Sequence, residues 1–160
     1  MTFEQELTNS QENINFSYKI KQILISKSQT LAIIDQVTNG LIFNKLSLNE
    51  DRHLRGAFLC PNNASLHFML NIPAKMLLTE NPLKKSYLLA QKIRTTLKSN
   101  IGLSLTKIKT KTEIKLHVTI DTETEQSHKK FILKNDLTNM NDTIIEATLG
   151  TLYFFLSTRL

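Results

Sequence analysis

One cysteine, four histidines and a short acidic run are the residues of this sequence whose side chains could carry out chemistry. Cys60 lies in an apolar run, with His53 before it and His67 after it. A thiol becomes a good nucleophile when a neighbouring base or cation lowers its pKa, and the residues next to Cys60 supply neither. Cysteine in an apolar run usually packs as a small core residue. We therefore predict a core role for Cys60, with a Cys–His nucleophile as the alternative.

Metal binding is the second chemistry that these residue types could support. Asp121, Glu123, Glu125 and His128 form the one local cluster of ligand types. A calcium loop needs a glycine at its sharp turn, and this segment has none. No two histidines have the i, i+4 spacing of a helical metal site. We therefore interpret the cluster as a solvated loop and predict no metal, no cofactor and no catalytic residue.

Positive charge is concentrated in one part of the chain. The net charge is +6, yet residues 83–134 alone hold twelve lysines or arginines against four acidic residues. Lys109, Lys111 and Lys115 would lie on one face of a strand, and their spacing would be close to that of phosphates along a nucleic acid. The segment would bind nucleic acid or another polyanion, or it is a lysine-rich solvent face that protects an edge strand. The residues of the polyanion hypothesis are Lys84, Lys85, Lys92, Lys98, Lys107, Lys109, Lys111, Lys115 and Lys130.

The segment 107–134 has the clearest strand pattern. Apolar residues and threonines alternate with charged ones from Ile108 to Ile120, which is typical of a strand with one buried face. A polar loop over residues 121–127 follows, and residues 130–134 can return antiparallel. The pattern therefore predicts a hairpin whose first strand runs over residues 108–120.

Other segments predict further strands and two helices. Alternation from Ile14 predicts a strand that continues to Ile25, and hairpins are predicted for residues 31–43, around Asn39 and Gly40, and for residues 57–70. A helix over residues 31–46 is the alternative for the first of these hairpins. Helices are predicted at about 82–99 and 142–158. The expected fold is α+β, an antiparallel sheet of about five to seven strands with both helices packed on one face.

The chain length predicts a single domain over residues 1–160, in which residues 1–13 are a short helix or a loose arm. The acidic start lacks the pattern of a secretory signal, and one cysteine suits a reducing compartment, so we expect a cytoplasmic location. The most apolar run is too short to span a membrane.

The last helix is apolar nearly all round, which is typical of a helix that is central to the core or covered by another chain. We therefore predict a non-enzymatic protein–protein interaction module, an adaptor, assembly factor or secretion-chaperone-like protein that binds a protein partner or a second copy through its sheet edge or this helix. An enzyme ranks third, after the polyanion hypothesis. The predicted partner-binding residues are Leu152, Tyr153, Phe154, Phe155 and Leu156.

Overall fold

The computed structural model describes residues 15–47, 52–135 and 138–160. In these residues the chain forms a five-stranded mixed sheet and six helices. The helices are α1 (Phe16–Ser26), α2 (Leu41–Leu46), α3 (Asn63–Leu70), α4 (Ala74–Leu77), α5 (Pro82–Thr96) and α6 (Met140–Arg159). The strands are β1 (Leu31–Asp35), β2 (Leu54–Leu59), β3 (Ile101–Lys109), β4 (Glu113–Asp121) and β5 (Gln126–Lys134).

The sheet has the order β2-β1-β3-β4-β5 and combines two pairing modes. Strand β1 is parallel to both of its neighbours, β2 and β3. Strands β3, β4 and β5 are joined by tight turns and pair antiparallel. All five residues of β1 are buried, as expected for a parallel strand that is covered on both faces.

Each face of the sheet has its own hydrophobic core. On one face, Leu31 and Ile33 of β1 belong to a cluster with residues of α1, α2 and α6. On the other face, Ala32 and Ile34 belong to a cluster with residues of α3, α4 and α5. Alternate side chains of β1 therefore pack in two different cores. The molecule has helical layers on both sides of the sheet.

Helix α5 packs unusually close to β3. A Cβ atom added at Gly102 would lie 2.0 Å from the carbonyl oxygen of Ala90 and 2.8 Å from the Cβ atom of Arg94. Only glycine permits this approach of helix to strand. At its other end α5 is capped by Asn81, whose Oδ1 accepts hydrogen bonds from the backbone amides of Leu83 and Lys84.

The fold prediction is correct in part. The α+β class and the helices at 82–99 and 142–158 are confirmed by α5 and α6. The sheet, however, is mixed rather than purely antiparallel, more than two helices are present, and they cover both faces. The predicted arm at residues 1–13 lies outside the described residues.

Three predicted strands are helices. The segment from Ile14 to Ile25 forms α1 from residue 16 onward, because Ile20 and Leu24 share a buried helical face and Asn15 caps the first turn. The second halves of both predicted hairpins form α2 and α3. The alternative of one helix over residues 31–46 is also wrong, because its first part is β1.

The predicted strand over residues 108–120 contains a chain reversal. Strand β3 continues to Lys109, and β4 begins at Glu113. Thr110 closes the turn, since its amide donates to the carbonyl of Glu113 (2.8 Å) and its hydroxyl accepts from the amide of that residue (3.1 Å). The hairpin of β4 and β5 that the sequence indicated is present, with the shorter turn at residues 122–125.

Candidate functional site

Asp35 organises the loop that follows the central strand. Its side chain is buried at the carboxyl end of β1 and accepts hydrogen bonds from the backbone amides of Val37 (2.8 Å), Thr38 (2.7 Å) and Gly40 (2.9 Å), and from the Thr38 hydroxyl. Asn39 and Gly40 have positive φ angles of 53° and 89°, which Asn and Gly tolerate best. Amides arranged in this way could bind an external anion, but here they already hold a carboxylate.

We call the space outside the carboxyl ends of β1 and β2 the crevice, because the chain leaves the two strands in different directions. The chain leaves β1 toward α2 on one face of the sheet and leaves β2 toward α3 on the other. Gln36 lies at this divergence, where its side-chain amide donates to the carbonyl of Cys60 (2.9 Å) and its backbone amide to that of Leu105 (3.1 Å). Open sheets with parallel strands bind ligands at such a point of divergence.

Asn63 begins α3 shortly after β2, and Lys85 lies in the first turn of α5. Asn63 follows Cys60 by three residues, and its Oδ1 accepts a 2.7 Å hydrogen bond from Nζ of Lys85. Its amide nitrogen donates to the carbonyl of Leu77 (3.3 Å), which fixes the orientation of the side chain. Burial lowers the pKa of Lys85 from its ordinary value of 10.5. The pair thus combines a held amide and one partly desolvated ammonium group.

Several cavities adjoin the sheet. A cavity of about 220 Å³ lies next to the loop that Asp35 holds after β1. It is lined by Asn39, Gly40, Phe43, Asn44, Ala57 and Leu59. A second cavity of about 330 Å³, which we call the α6–β5 cavity, lies between those two elements and includes Ser127, Gly150, Thr151, Phe154 and Arg159 in its lining. The first of them extends the crevice along β2.

Cys60 is a packed core thiol. It is fully buried, its Sγ lies 3.6 Å from Sδ of Met69, and burial raises the pKa of the thiol. His53 and His67 are hydrogen-bonded elsewhere, through Nδ1 to the carbonyls of Gln29 (2.9 Å) and Ile72 (2.7 Å). The predicted core role is confirmed, and the structure does not support the Cys–His alternative.

His117 on β4 and His128 on β5 form a pair that the sequence patterns did not predict. Nδ1 of His117 lies 3.0 Å from Nε2 of His128, and the ring of Tyr87 lies 6.0 Å from that of His128. Desolvation, followed by the charges of Lys130 and Lys115, lowers the pKa of His117. The pKa of His128 is lowered by desolvation and then by the charges of His117 and Lys130. The two residues are eleven apart, so only the strand register, which the sequence did not specify, brings them together.

Two acidic side chains of the predicted ligand cluster, those of Asp121 and Glu125, form contacts within the protein. Asp121 is buried and accepts hydrogen bonds from Nε of Arg94 (2.5 Å) and from the side-chain amide of Gln126 (2.6 Å). Glu125 forms a 3.5 Å ion pair with Arg159. Within residues 15–47, 52–135 and 138–160, the structure contains no group of three or more His, Cys, Asp or Glu residues placed to hold a metal ion.

The predicted lysine face is divided between two sides of the sheet. Lys107 and Lys109 lie opposite Leu116 and Ile114 in the register, whereas Lys115 lies opposite Ile108 and points to the other face. The turn at residues 110–112 is the reason, because alternation does not continue through a reversal. The remaining lysines of the set lie on α5 (Lys84, Lys85, Lys92), just after it (Lys98), in the turn (Lys111) and on β5 (Lys130). Polyanion binding by these residues stays a prediction.

The predicted partner-binding residues lie mostly in the core. Leu152, Phe155 and Leu156 of α6 are buried, and Tyr153 packs on the ring of Phe16 at 5.6 Å. Phe154 differs, since 67% of its surface is exposed. Binding of a partner by these five residues stays a prediction. Phe154 is the residue of the set that is most accessible to a partner. None of the described helices is long and apolar enough to cross a membrane.

Comparison with known proteins gives a consistent result. No family model matches the chain. A putative competence-damage inducible protein of Bacillus cereus is 31% identical over 93 residues, which are 56% of this chain and 23% of that protein. The corresponding protein of Bacillus mycoides is 30% identical over a stretch of the same length. The match therefore spans less than a quarter of the length of these relatives.

Solved structures share the fold. The competence damage-inducible protein A of Klebsiella pneumoniae has a TM-score of 0.78 at 10% identity and covers 91% of this chain and 97% of its own. A competence or damage-inducible protein of Enterobacter asburiae has a TM-score of 0.76 at 12% identity, over 88% and 96%. A CinA superfamily protein of Escherichia coli has a TM-score of 0.70 at 11% identity, over 100% and 99%.

These similarities correct the functional prediction. A non-enzymatic adaptor, assembly factor or chaperone-like module is wrong, because the relatives in sequence and the neighbours in structure are competence or damage-inducible proteins. The similarities neither confirm nor exclude an enzymatic activity.

Proposed function

We propose that this chain is a small-molecule-binding domain of the competence and damage-inducible type, with its ligand outside the carboxyl ends of β1 and β2. The observation that carries the proposal is the divergence of the chain after these two strands, beside Gln36, since open sheets with parallel strands bind ligands at such a point. The names of the similar proteins support a role connected with competence or damage, and their matching folds support the same architecture.

The polar groups at the crevice favour a small polar ligand. Gln36 and Asn63 supply side-chain amides that are held by protein hydrogen bonds, so little entropy is lost when they orient a ligand. Lys85 supplies one cationic group whose partial desolvation strengthens its attraction to an anion. The adjoining cavity of about 220 Å³ adds Phe43 and Leu59 as apolar contacts. Such a mixture of apolar surface and a few placed polar groups is typical of ligand sites.

The hydrogen bonds that Asp35 accepts from the loop after β1, which we call the Asp35 clamp, restrict the chemistry of that ligand. Loop amides that would otherwise bind a phosphate already donate to the carboxylate of Asp35. An anionic group of the ligand would therefore have to meet Lys85 rather than the loop after β1. The proposed ligand is a neutral or singly charged polar molecule that hydrogen-bonds to amide side chains.

Thermal-shift measurements with a defined panel test the proposal. The panel contains nucleosides, nucleoside monophosphates, amino acids, their primary amides and sugar phosphates, each at millimolar concentration. A ligand present at 100 times its Kd stabilises the folded chain by about 2.7 kcal/mol, which raises the Tm of a domain of this size by roughly 5–10 °C. At least one compound should produce a shift of this order.

A pair of neighbouring lysines provides the matched control. Lys85→Gln keeps a hydrogen-bond donor near Asn63 but removes the charge, and it should reduce the shift given by an anionic compound. Lys84→Gln removes a charge from an exposed neighbour on α5 and should leave the shift unchanged. A panel without any stabilising compound, or equal effects of the two substitutions, would contradict the proposal.

A further inference from the structure

The α6–β5 cavity exists because β5 presents polar side chains where its neighbour β4 presents apolar ones. Ser127 and Lys129 of β5 pair with Ile120 and Val118 of β4, and paired residues share a face of the sheet. Ile120 and Val118 belong to the core that α6 covers. A serine is too small and a lysine too polar to continue that core. A cavity of about 330 Å³ therefore remains between α6 and β5.

The helical side of the cavity combines small residues with aromatic ones. Gly150 and Thr151 line it near the middle of α6, and Phe154 and Phe155 line it one turn later. Glycine is the least favourable residue inside a helix apart from proline, yet here it leaves the space beside β5 open. The volume lies in the range of small-molecule sites, roughly 300–1,000 Å³. The cavity thus offers an apolar surface of suitable size on its helical side.

Positive charge lies at the same cavity. Lys129 and Arg159 are part of its lining, and none of the described residues that line it is acidic. The nearest ion pair joins Nη1 of Arg159 to Glu125 at 3.5 Å between two exposed side chains. An exposed pair of this kind contributes little energy, and the guanidinium has five N–H donors in all. The charge of the lining therefore favours an anion.

The hydroxyl groups of α6 in the lining do not compete for that anion. The Thr151 hydroxyl donates to the carbonyl of Ala147 (2.7 Å), and the Thr158 hydroxyl donates to the carbonyl of Phe154 (2.8 Å). Their protons are therefore engaged within the helix. An anionic group would be bound by the cationic side chains at the cavity rather than by these hydroxyls.

The apolar and the cationic parts of the lining are separated along α6. Arg159 follows Gly150 by nine residues, which corresponds to about 13 Å along a helix axis. The ion pair with Glu125 places Arg159 beside the turn that leads into β5. The lining thus has a cationic end at Arg159 and an apolar end at Gly150 and Phe154.

We propose that the α6–β5 cavity binds an elongated apolar monoanion of the medium-chain carboxylate class. The carboxylate lies near Arg159 and Lys129, and the apolar chain lies along Gly150 and Phe154. This site is separate from the crevice and does not depend on a ligand there. The panel for the crevice contains no compound that joins an alkyl chain to a single negative charge, so the two sites are tested independently.

Isothermal titration calorimetry of the whole chain with sodium octanoate tests the proposal. Octanoate should bind with a Kd below about 1 mM. Butanoate should bind at least about 10-fold more weakly, because it lacks four methylene groups that the cavity would bury. The uncharged 1-octanol should also bind at least about 10-fold more weakly, because it gains nothing from the two cations.

Two neighbouring lysines of β5 provide the matched control. Lys129→Gln should weaken octanoate binding at least about 3-fold, because it removes a charge from the lining. Lys130→Gln should leave binding unchanged, since Lys130 pairs with His117 and lies on the opposite face of the sheet. Both lysines are exposed, so neither substitution should disturb folding.

A substitution that fills the cavity tests the position of the apolar chain. Gly150→Leu should abolish octanoate binding in a protein that circular dichroism shows to be folded. If this variant does not fold, the comparison of Lys129→Gln with Lys130→Gln decides. The proposal would be overturned by an absence of octanoate binding at 1 mM, by equal affinity for 1-octanol, or by equal effects of the two lysine substitutions. A folded Gly150→Leu variant with the affinity of the wild type would overturn it as well.

Discussion

Substitution of Asp35 is the perturbation whose outcome follows most directly from the structure. In Asp35→Ala, the amides of Val37, Thr38 and Gly40 lose their buried acceptor, and so does the Thr38 hydroxyl. A buried donor left without a partner costs about 1–3 kcal/mol. Three amides therefore give a loss of about 3–6 kcal/mol after partial relaxation, out of a total stability of about 5–15 kcal/mol for a typical domain.

Urea denaturation followed by far-ultraviolet circular dichroism measures this loss as a decrease in the free energy of unfolding. Asp35→Asn should cost less than Asp35→Ala, because one oxygen acceptor remains. Asp142→Asn is the control, since Asp142 is exposed in the first turn of α6 and its replacement should change stability by no more than about 1 kcal/mol. A loss below 1 kcal/mol in Asp35→Ala would refute the clamp.

Three further outcomes are expected. The pKa of both His117 and His128 is lowered in the folded chain, so the unfolded chain binds more protons as the pH falls through about 6.5. Stability should therefore decrease below that pH, and denaturation at pH 7.5 and 5.5 should differ less in a variant with both histidines replaced by Gln. Gly102→Ala should destabilise the chain by more than 2 kcal/mol, because the new methyl would lie 2.0 Å from a backbone oxygen of α5, and a Tm close to that of the wild type would contradict this. Phe155→Ala should cost about 3–5 kcal/mol and Phe154→Ala less than about 1 kcal/mol, in keeping with their burial, and equal losses in urea denaturation would show that the burial is misassigned.

Sequence patterns identified the elements with strong local signals. Helix α5 has an N-cap, a proline in its first turn and an apolar stripe, and α6 is long and apolar. These signals act within a few residues, and the structure confirms both helices. The hairpin of β4 and β5 was identified from alternation and a polar turn, although the predicted first strand wrongly continued through the turn at residues 110–112.

The errors arose where a short pattern fits two structures. The apolar residues Phe16 and Ile20 satisfy alternation and also the i, i+4 spacing of a helix, and packing against α6 decides for the helix. The residues Asn39 and Gly40 do form a turn, but the clamp from Asp35 directs the chain into α2 instead of a returning strand. Local propensity contains no information about either contact.

The site was hidden because it depends on parallel pairing. One signal was available, since the uninterrupted apolar run from Leu31 to Ile34 is typical of a parallel strand buried on both faces. Polar residues after such a strand, as at Asp35 and Gln36, are candidates for a site at its carboxyl end. The contact of Asn63 with Lys85 spans 22 residues and follows only from the packing of α3 beside α5.

Two-dimensional ¹⁵N–¹H spectra of the whole chain, recorded with the compound that most raises the Tm, test the proposed ligand site most directly. We predict that the largest amide shifts fall in residues 36–40, at Cys60, Asn62 and Asn63, and at Lys85. The α6–β5 cavity provides the comparison within the same spectrum, because it is larger and lies away from the crevice. Largest shifts at Ser127, Thr151 and Phe154, with the crevice unchanged, would contradict the proposal.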